Sequence, residues 1–489
     1  MKVTELLNLD EIKLIRNAGL FEIRDICYNS RAVEKNDVFV AVNGFKTDGH
    51  HYISDALKKG ASAVILENEA YIPHKEDVWI FSTEDARKAL AAVSSLFYGN
   101  PAEKMFSIGV TGTNGKTSVT TYLYDYYFNF KGMTAGLTGT IKNIISGAEY
   151  PAKNTTLESK DLQALFFKMK KARVKYLICE VSSHALALKR IYGVQFDMAL
   201  FTNLTRDHLD FHKSMERYYR SKKILFTQNL KRNGLAVINI DDPYGQRLIK
   251  SVHNAYSVSM MMPKANFYID QIQYSINETT FSLTVQGETK LPIVTRLLGK
   301  FNVINVLLLF AALYLNGEKA EDIVKFIGTL TPVKGRFQNI KTQNNIHIII
   351  DYAHTPDALE NILKATRAFR RGKLITVFGA GGDRDRGKRP LMGEAASRYS
   401  DYVIVTNDNP RSEDPQKIAD DVIKGIRTAH TVILDRKDAI INALDRARPE
   451  DWVILAGKGH EDYQIIGDKK IHFSDEETVV NYLRSRNLL

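Results

Sequence analysis

The sequence predicts an α/β protein with mostly parallel sheets, divided into three domains. Two observations carry this. Short apolar runs of strand character alternate with helical stretches along the chain, the pattern of strand–helix–strand units in a parallel sheet. At 489 residues, the chain also exceeds what one hydrophobic core organises, so roughly three domains of ordinary size are expected. A balance of 44% hydrophobic and 25% charged residues, with no Pro-, Gly-, Ser- or Gln-rich tract, fits compact folding throughout.

The first block, residues 1–100, holds the short strands "DVFVAV" and "SAVIL" and ends at "FYGNPAEKM", where Gly99, Asn100 and Pro101 break the pattern. A second block, 101–333, opens on "SIGVTGTNGKTSVTTYLYDYY" and contains the strands "YLICEVSS", "MALFTNL" and "GLAVINIDD" before an apolar helix from Asn302. The turn "TPVKGRF" leads into the third block, 334–489, with five strands: "IHIIIDYAH", "LITVFGAGG", "YVIVTNDNP", "TVILD" and "WVILAGKGH". Three of these run into Gly- or Asn-rich turns, the place where open α/β sheets contact ligands. No internal repeat is present.

Several function classes are disfavoured. The amino terminus, "MKVTELLNLDEIKLIRNAGL", is charged at every turn and does not read as a signal peptide. The longest apolar run, "VINVLLLFAALYL", is too short to span a bilayer and contains Asn305, so a buried helix and no membrane insertion are expected. Cys27 and Cys179 lie far apart in apolar stretches, which predicts two buried thiols and a cytoplasmic location. The formal charge of +11 is scattered, not gathered into a stripe. Pockets for small anions explain it better than nucleic acid does, and no nucleic-acid partner is expected. A monomer is expected.

The opening of the second block has the order a phosphate loop requires. Backbone N–H groups wrap phosphate oxygens, glycines permit the tight path, a lysine neutralises charge and the next hydroxyl meets magnesium. Gly112, Thr113, Asn114, Gly115, Lys116, Thr117 and Ser118 fill these places. The general pattern wants glycine where Val110 stands, so the loop is a variant; the bland alternative is a glycine turn with an incidental Lys-Thr.

That variant, "GTNGKT", resembles the ATP loop of the Mur ligases, which build the peptide of peptidoglycan precursors. "NTTLES", "EVSSHAL", "TNLTRDHLDFH", "YYRSKKILF", "GKFNVINV", "GRF", "DYAHTPD", "GGDRDRGKRPLM", "DNPRSEDP" and "AGKGHEDYQ" extend the resemblance through all three blocks in order. Within the family they are similar to the branch that extends the dipeptide of UDP-N-acetylmuramoyl-alanyl-glutamate. The resemblance implies an N-terminal UDP-binding α/β domain, a central P-loop ATPase-like parallel-sheet domain and a C-terminal Rossmann-like domain. It also implies ATP and two Mg2+ ions as cofactors.

For the metals, the family pattern carries over Thr117, Glu180, His208 and Lys222. Joining two polyanions needs magnesium and fixed cations before it needs a base. Glu180 ends a strand, where a carboxylate can meet a metal. His208 alone would read as a turn histidine bonded to a neighbouring Asp, and Lys222 beside Lys223 as a solvated surface charge. In relatives the lysine at Lys222 is carbamylated by carbon dioxide, which turns a cation into an anionic oxygen ligand. Lys116, Glu180, His208 and Lys222 are thus the catalytic candidates.

For the UDP-sugar, the resemblance indicates Ser30, Asn154, Thr155, Thr156, Ser182 and Arg190; each Ser or Thr alone would read as a turn or helix cap. Two departures stand out: Asn29 where relatives carry Asp, and Leu157 where they commonly carry Pro. On the nucleotide, Asn302 or Asn305 is expected near adenine, and Arg336, Asp351 and His354 near ribose and phosphates.

The third block is expected to choose the amino acid. Arg384 and Arg411 can clamp a carboxylate with parallel hydrogen bonds, and Asp408, Asn409, Gly457 and Glu461 can hold an ammonium group. In the family, "DNPR" accompanies meso-diaminopimelate and is absent from lysine-adding members. An arginine paired within "RSEDP" is the bland alternative. The competing functions are a relative using L-lysine or another amino acid, and a basic P-loop ATPase acting on nucleic acid.

Overall fold

In the computed structural model all residues are described except Lys46, Lys153, Ile276, Lys341 and Leu489, with Phe369 described by its backbone alone. The fold is mixed α/β. It forms two compact units: Met1–Thr111, Tyr124–Ala199 and Ser221–Leu235 in one, and Gly112–Leu123, Leu200–Arg220 and Ala236–Leu489 in the other.

The first unit contains a five-stranded sheet in the order Lys13–Arg16, Trp79–Ser82, Ala63–Leu66, Val38–Val40, Ile26–Cys27. Its neighbours are parallel except the Lys13–Arg16 edge. The two predicted strands lie at its centre as near-continuous apolar runs, because both sheet faces are covered. Helix Ala86–Tyr98 buries Ala86, Ala89, Leu90 and Val93 against one face. Asp85 caps it by accepting from the backbone N–H groups of Arg87 and Lys88, and Gly99 ends it in the left-handed region at φ 68°. In the same unit, strand Tyr176–Glu180 runs parallel between Phe106–Thr111 and Ala135–Thr138, with Ile178 opposite Ile108 and Leu137.

Both cysteines are buried and unpaired with each other. Burial, reinforced by Asp37 beside Cys27 and by Glu180 beside Cys179, pushes each thiol up to about 12. Iodoacetamide at mildly alkaline pH is therefore expected to alkylate neither in the folded protein and both after denaturation, because the thiolate is the nucleophile. Mass spectrometry checks this, and rapid labelling of the native chain would contradict it.

In the second unit, Ala236–Asn239 pairs parallel with Ala255–Ser259, which pairs parallel with Phe267–Tyr274. An antiparallel extension then follows through Thr279–Val285 and Thr289–Thr295. The alternation of strands and helices does not foretell this meander. Its signal is local: "TTFSLTV" alternates strictly between buried and half-buried positions, the period of a one-sided antiparallel strand. Pro292 sits in the outermost strand, where a missing N–H costs no ladder bond.

Helix Lys300–Leu315 is apolar all round and buried over Asn302–Leu313, as a helix with no polar face must be. The carboxy-terminal sheet has the order Gln338–Ile340, His347–Asp351, Trp452–Ala456, Leu374–Phe378, Tyr402–Val405, His430–Val432. The five expected strands are parallel, and one antiparallel edge strand, Gln338–Ile340, joins them. A hairpin, Tyr463–Ile466 with Lys469–His472, follows the last of them. Among the described residues no helix is long and apolar enough to cross a membrane.

Candidate functional site

Strand Phe106–Thr111 runs into the glycine turn, and helix Lys116–Asp125 leaves it. Gly115 has φ 87°, and a Cβ there would stand 2.5 Å from Asn305 Oδ1; at Gly112 it would meet Thr202 Oγ1 at 1.8 Å. Only glycine fits either place. The turn is stitched to the segment Thr202–Thr205. The Thr113 N–H donates to the Asn203 carbonyl (2.9 Å), the Asn114 N–H to Asn203 Oδ1 (2.9 Å), and Thr202 Oγ1 to the Asn114 carbonyl (2.6 Å). Lys116 Nζ folds back onto the carbonyls of Gly112 (2.9 Å) and Thr113 (3.0 Å).

A pocket opens beside this turn. Asn114, Gly115, Thr117 and Ser118 line one side, and Asn305, Arg336, Asp351 and Tyr352 are among the residues that line the rest. Arg336 Nη2 donates to Thr117 Oγ1 (3.1 Å), and its guanidinium lies 4.5 Å from the centroid of the Tyr352 ring. Of the two candidate asparagines, Asn305 lines the pocket, whereas Asn302 is held behind it with Nδ2 on the Leu298 carbonyl (2.9 Å). Asp351 accepts from the N–H groups of Phe337 (2.6 Å) and Ala353 (2.7 Å). Burial still leaves it above the usual carboxylate range, despite Arg336 and those two amides.

His208 and His354 converge on buried Asp207. Its Oδ2 lies 3.3 Å from His208 Nε2 and 3.6 Å from His354 Nε2, and Lys388 Nζ is 3.4 Å from its Oδ1. Burial alone would raise this carboxyl, but Lys388, His354 and His208 hold it well below the ordinary range. The Asp neighbour of His208 matches the plain reading of that histidine, and the structure adds His354 and Lys388 to the pair. Sequence reasoning missed Lys388, because nothing local marks a lysine in "RGKRP" as buried.

In the first unit, Thr156, Ser182 and Arg190 come together. Thr156 Oγ1 donates to the Glu180 carbonyl (2.8 Å) and accepts from the Ser182 N–H (3.1 Å), while Arg190 Nη1 donates to the Thr156 carbonyl (3.0 Å). Ser182 also caps the helix Ser183–Ala187. Thr155 Oγ1 donates to Thr140 Oγ1 (3.1 Å), whose own hydrogen is given to Glu180, and Asn154 stays exposed. The Glu180 carboxylate is buried and accepts from the Thr140 N–H and Oγ1, both at 2.9 Å. Lys222 is 1% exposed, and Lys223 is half-buried. The solvated-surface reading of Lys222 is therefore overturned by its place on the inner face of helix Met215–Thr227.

A second pocket, also in the first unit, is lined by Tyr28, Asn29, Ser30, Arg31, Arg87 and Glu158, among others. Asn29 Oδ1 accepts from the Arg31 N–H (3.0 Å), a turn cap that an aspartate would make equally well. Glu158 Oε2 lies 3.6 Å from Arg87 Nη1 and 3.3 Å from Arg190 Nε. Arg87 escaped sequence reasoning because it reads as a surface residue of its helix.

The turns after the carboxy-terminal strands gather the remaining candidates. Arg411 Nη1 donates to the carbonyls of Gly382 (2.7 Å) and Asn409 (3.4 Å). Burial, then the positive charge of Arg384, pull it below its ordinary pKa. Among the described residues no carboxylate lies within ion-pair distance of either guanidinium, so the pairing expected of a turn arginine in "RSEDP" is not made. Asn409 Nδ2 donates to Glu461 Oε2 (3.0 Å), which Lys458 Nζ also reaches (3.2 Å). Gly457 has φ 113°, and a Cβ there would stand 2.7 Å from Asp408 Oδ2. Among the described residues no three His, Cys, Asp or Glu side chains cluster to hold a metal.

Comparison with known proteins gives concordant matches. Residues 22–98 match the model of the Mur ligase family catalytic domain, residues 110–313 the Mur ligase middle domain, and residues 335–459 the Mur ligase glutamate ligase domain. Over 488 residues the chain is 41% identical to UDP-N-acetylmuramoyl-L-alanyl-D-glutamate--2,6-diaminopimelate ligase 1 of Clostridium acetobutylicum, covering 99% of each. It is 43% identical over 465 residues to the corresponding ligase of Caldanaerobacter subterraneus, covering 94% of this chain and 95% of that one. A solved structure of a UDP-N-acetylmuramoyl-L-alanyl-D-glutamate--2,6-diaminopimelate ligase aligns with TM-score 0.66 at 33% identity over 95% of both chains. The MurF ligase of Thermotoga maritima, solved with ADP, shares the fold at TM-score 0.63 and 21% identity, covering 95% of this chain and 98% of that one.

Proposed function

Because this chain belongs to the Mur ligase family, we propose that it is an ATP-dependent ligase joining meso-diaminopimelate to UDP-N-acetylmuramoyl-L-alanyl-D-glutamate in peptidoglycan precursor synthesis. A γ-carboxylate oxygen of the D-glutamate attacks the γ-phosphorus of ATP, giving an acyl phosphate and ADP. The amine of diaminopimelate then attacks the acyl carbon, loses a proton and expels inorganic phosphate, leaving an amide. In this reading residues 1–100 carry the UDP-sugar, 101–333 the ATP and 334–489 the amino acid, in the cytoplasm.

The glycine turn cradles the polyphosphate through its backbone N–H groups, and Lys116 leaves its own loop carbonyls for the phosphate oxygens. Arg336 and Asn305 complete the nucleotide pocket. Thr156, Ser182 and Arg190 form a connected group suited to the pyrophosphate and muramoyl oxygens. Thr117 and the buried Glu180 offer the hard oxygen donors that suit magnesium, and His208 with a carbamylated Lys222 would hold a second ion. When bound, the metal neutralises charge on the phosphates. The burial of Lys222, with Lys223 only half-buried, supports the choice between the two lysines.

One observation carries the choice of amino acid: two neighbouring guanidiniums, Arg384 and Arg411, neither of them within ion-pair distance of a carboxylate among the described residues. A planar carboxylate at the far end of diaminopimelate fits that fork, and L-lysine has none to offer. Phosphate release with ATP, magnesium and the UDP-linked dipeptide is therefore expected with meso-diaminopimelate, giving a product of the summed mass. Release with L-lysine in its place would refute the clamp, and release stimulated by DNA or RNA would refute the ligase.

A further inference from the structure

The turns proposed to hold the amino acid leave strands Tyr402–Val405 and Trp452–Ala456, which flank the strand Leu374–Phe378 from opposite sides. The ladders to that strand end at Phe378, opposite Val405 and Ala456, so the turns beyond need a further tie. Beneath both lies Arg436, 1% exposed, at the start of helix Arg436–Arg446. Its Nη1 donates to the Asn407 carbonyl (3.3 Å) and its Nη2 to the Ala456 carbonyl (3.0 Å). These carbonyls belong to the residues just before Asp408 and Gly457. The fork is held by Asp475, whose Oδ1 accepts from Nε and Oδ2 from Nη2, both at 2.7 Å. Both side chains of the pair are fully buried.

We propose that Arg436, oriented by Asp475, is a positioning residue of the amino-acid site: it sets the spacing of the two turns and thereby the affinity for the incoming amino acid. Four of the five guanidinium N–H sites are committed in one plane, a task a lysine ammonium cannot reproduce. The spacing it sets is tight, because Asp408 Oδ2 already packs where a Cβ on Gly457 would be. A slip of the Ala456 turn therefore moves the carboxylate that faces the substrate's ammonium group. A pair serving stability alone would be replaceable by apolar side chains of similar volume at little cost to binding.

This inference rests on the proposed reaction, and the test separates the two. Arg436→Lys, and the apolar pair Arg436→Met with Asp475→Leu, are to be compared with the unsubstituted protein in steady-state phosphate release. In each, KM for meso-diaminopimelate is expected to rise about tenfold or more, with KM for ATP and for the UDP-linked dipeptide nearly unchanged. An unchanged KM for diaminopimelate in a folded variant overturns the assignment, as does a uniform loss of kcat. Failure of both variants to fold also overturns it, since the pair would then serve folding alone. Absence of diaminopimelate-dependent release from the unsubstituted protein overturns the reaction itself.

Discussion

Replacing Lys116 with methionine is expected to lower phosphate release by about 10²–10³-fold, the usual consequence of removing one preorganised charge from a transferring phosphoryl group. The fold should survive. The turn keeps its path through Gly112 and Gly115 and its stitches to Asn203 and Thr202, and methionine fills the same volume. What disappears is the ammonium now parked on the carbonyls of Gly112 and Thr113, with nothing else in the turn to take its charge to the polyphosphate. Turnover within about threefold of the unsubstituted protein, against that expected loss, would show that the lysine has no part in the chemistry.

Arg411→Ala is expected to raise KM for meso-diaminopimelate about 100-fold, close to 3 kcal/mol, within the range for truncating one partner of a buried charge pair. Arg411 already occupies the left-handed region at φ 52°, so alanine inherits that backbone and its strain unchanged. The effect should therefore appear chiefly in substrate affinity, with a smaller fall in melting temperature from the lost bonds to the Gly382 and Asn409 carbonyls. Arg411→Lys should recover only part of the loss, because a point charge cannot form the paired hydrogen bonds of a fork. Equal KM values for the two proteins would leave the guanidinium pair without a ligand.

How much of this was legible in the sequence depended on whether the information was local. The phosphate loop could be read because its glycines, lysine and threonine are consecutive, and the carboxy-terminal sheet because its parallel strands are unbroken apolar runs. The family pattern singled out Lys222, but its burial could not be read from the residues themselves, since two adjacent lysines on a helix give no sign of which one faces inward. Arg436 in "LDRKDAI" reads as an exposed helix start; its burial depends on Asp475, 39 residues later. The same holds for Lys388, which turns inward toward Asp207, 181 residues away. The meander over Phe267–Thr295 was readable by its own alternation but not by the strand–helix rhythm of its surroundings. The choice between Asn302 and Asn305 needed the pocket, for both are buried on one helix.

The outermost strand of that meander bears on how the chain behaves in a crowded solution. A row of unpaired amides and carbonyls is a template on which a second copy can lay a strand, the first step toward cross-β association. Here the edge strand Thr289–Thr295 lacks one amide hydrogen at Pro292, carries the exposed charge of Lys290 and is packed by helix Ala320–Thr329. These are the devices by which natural sheets refuse edge-to-edge growth. Pro292 on that outer edge thus belongs to the chain's defence against templated aggregation at high concentration.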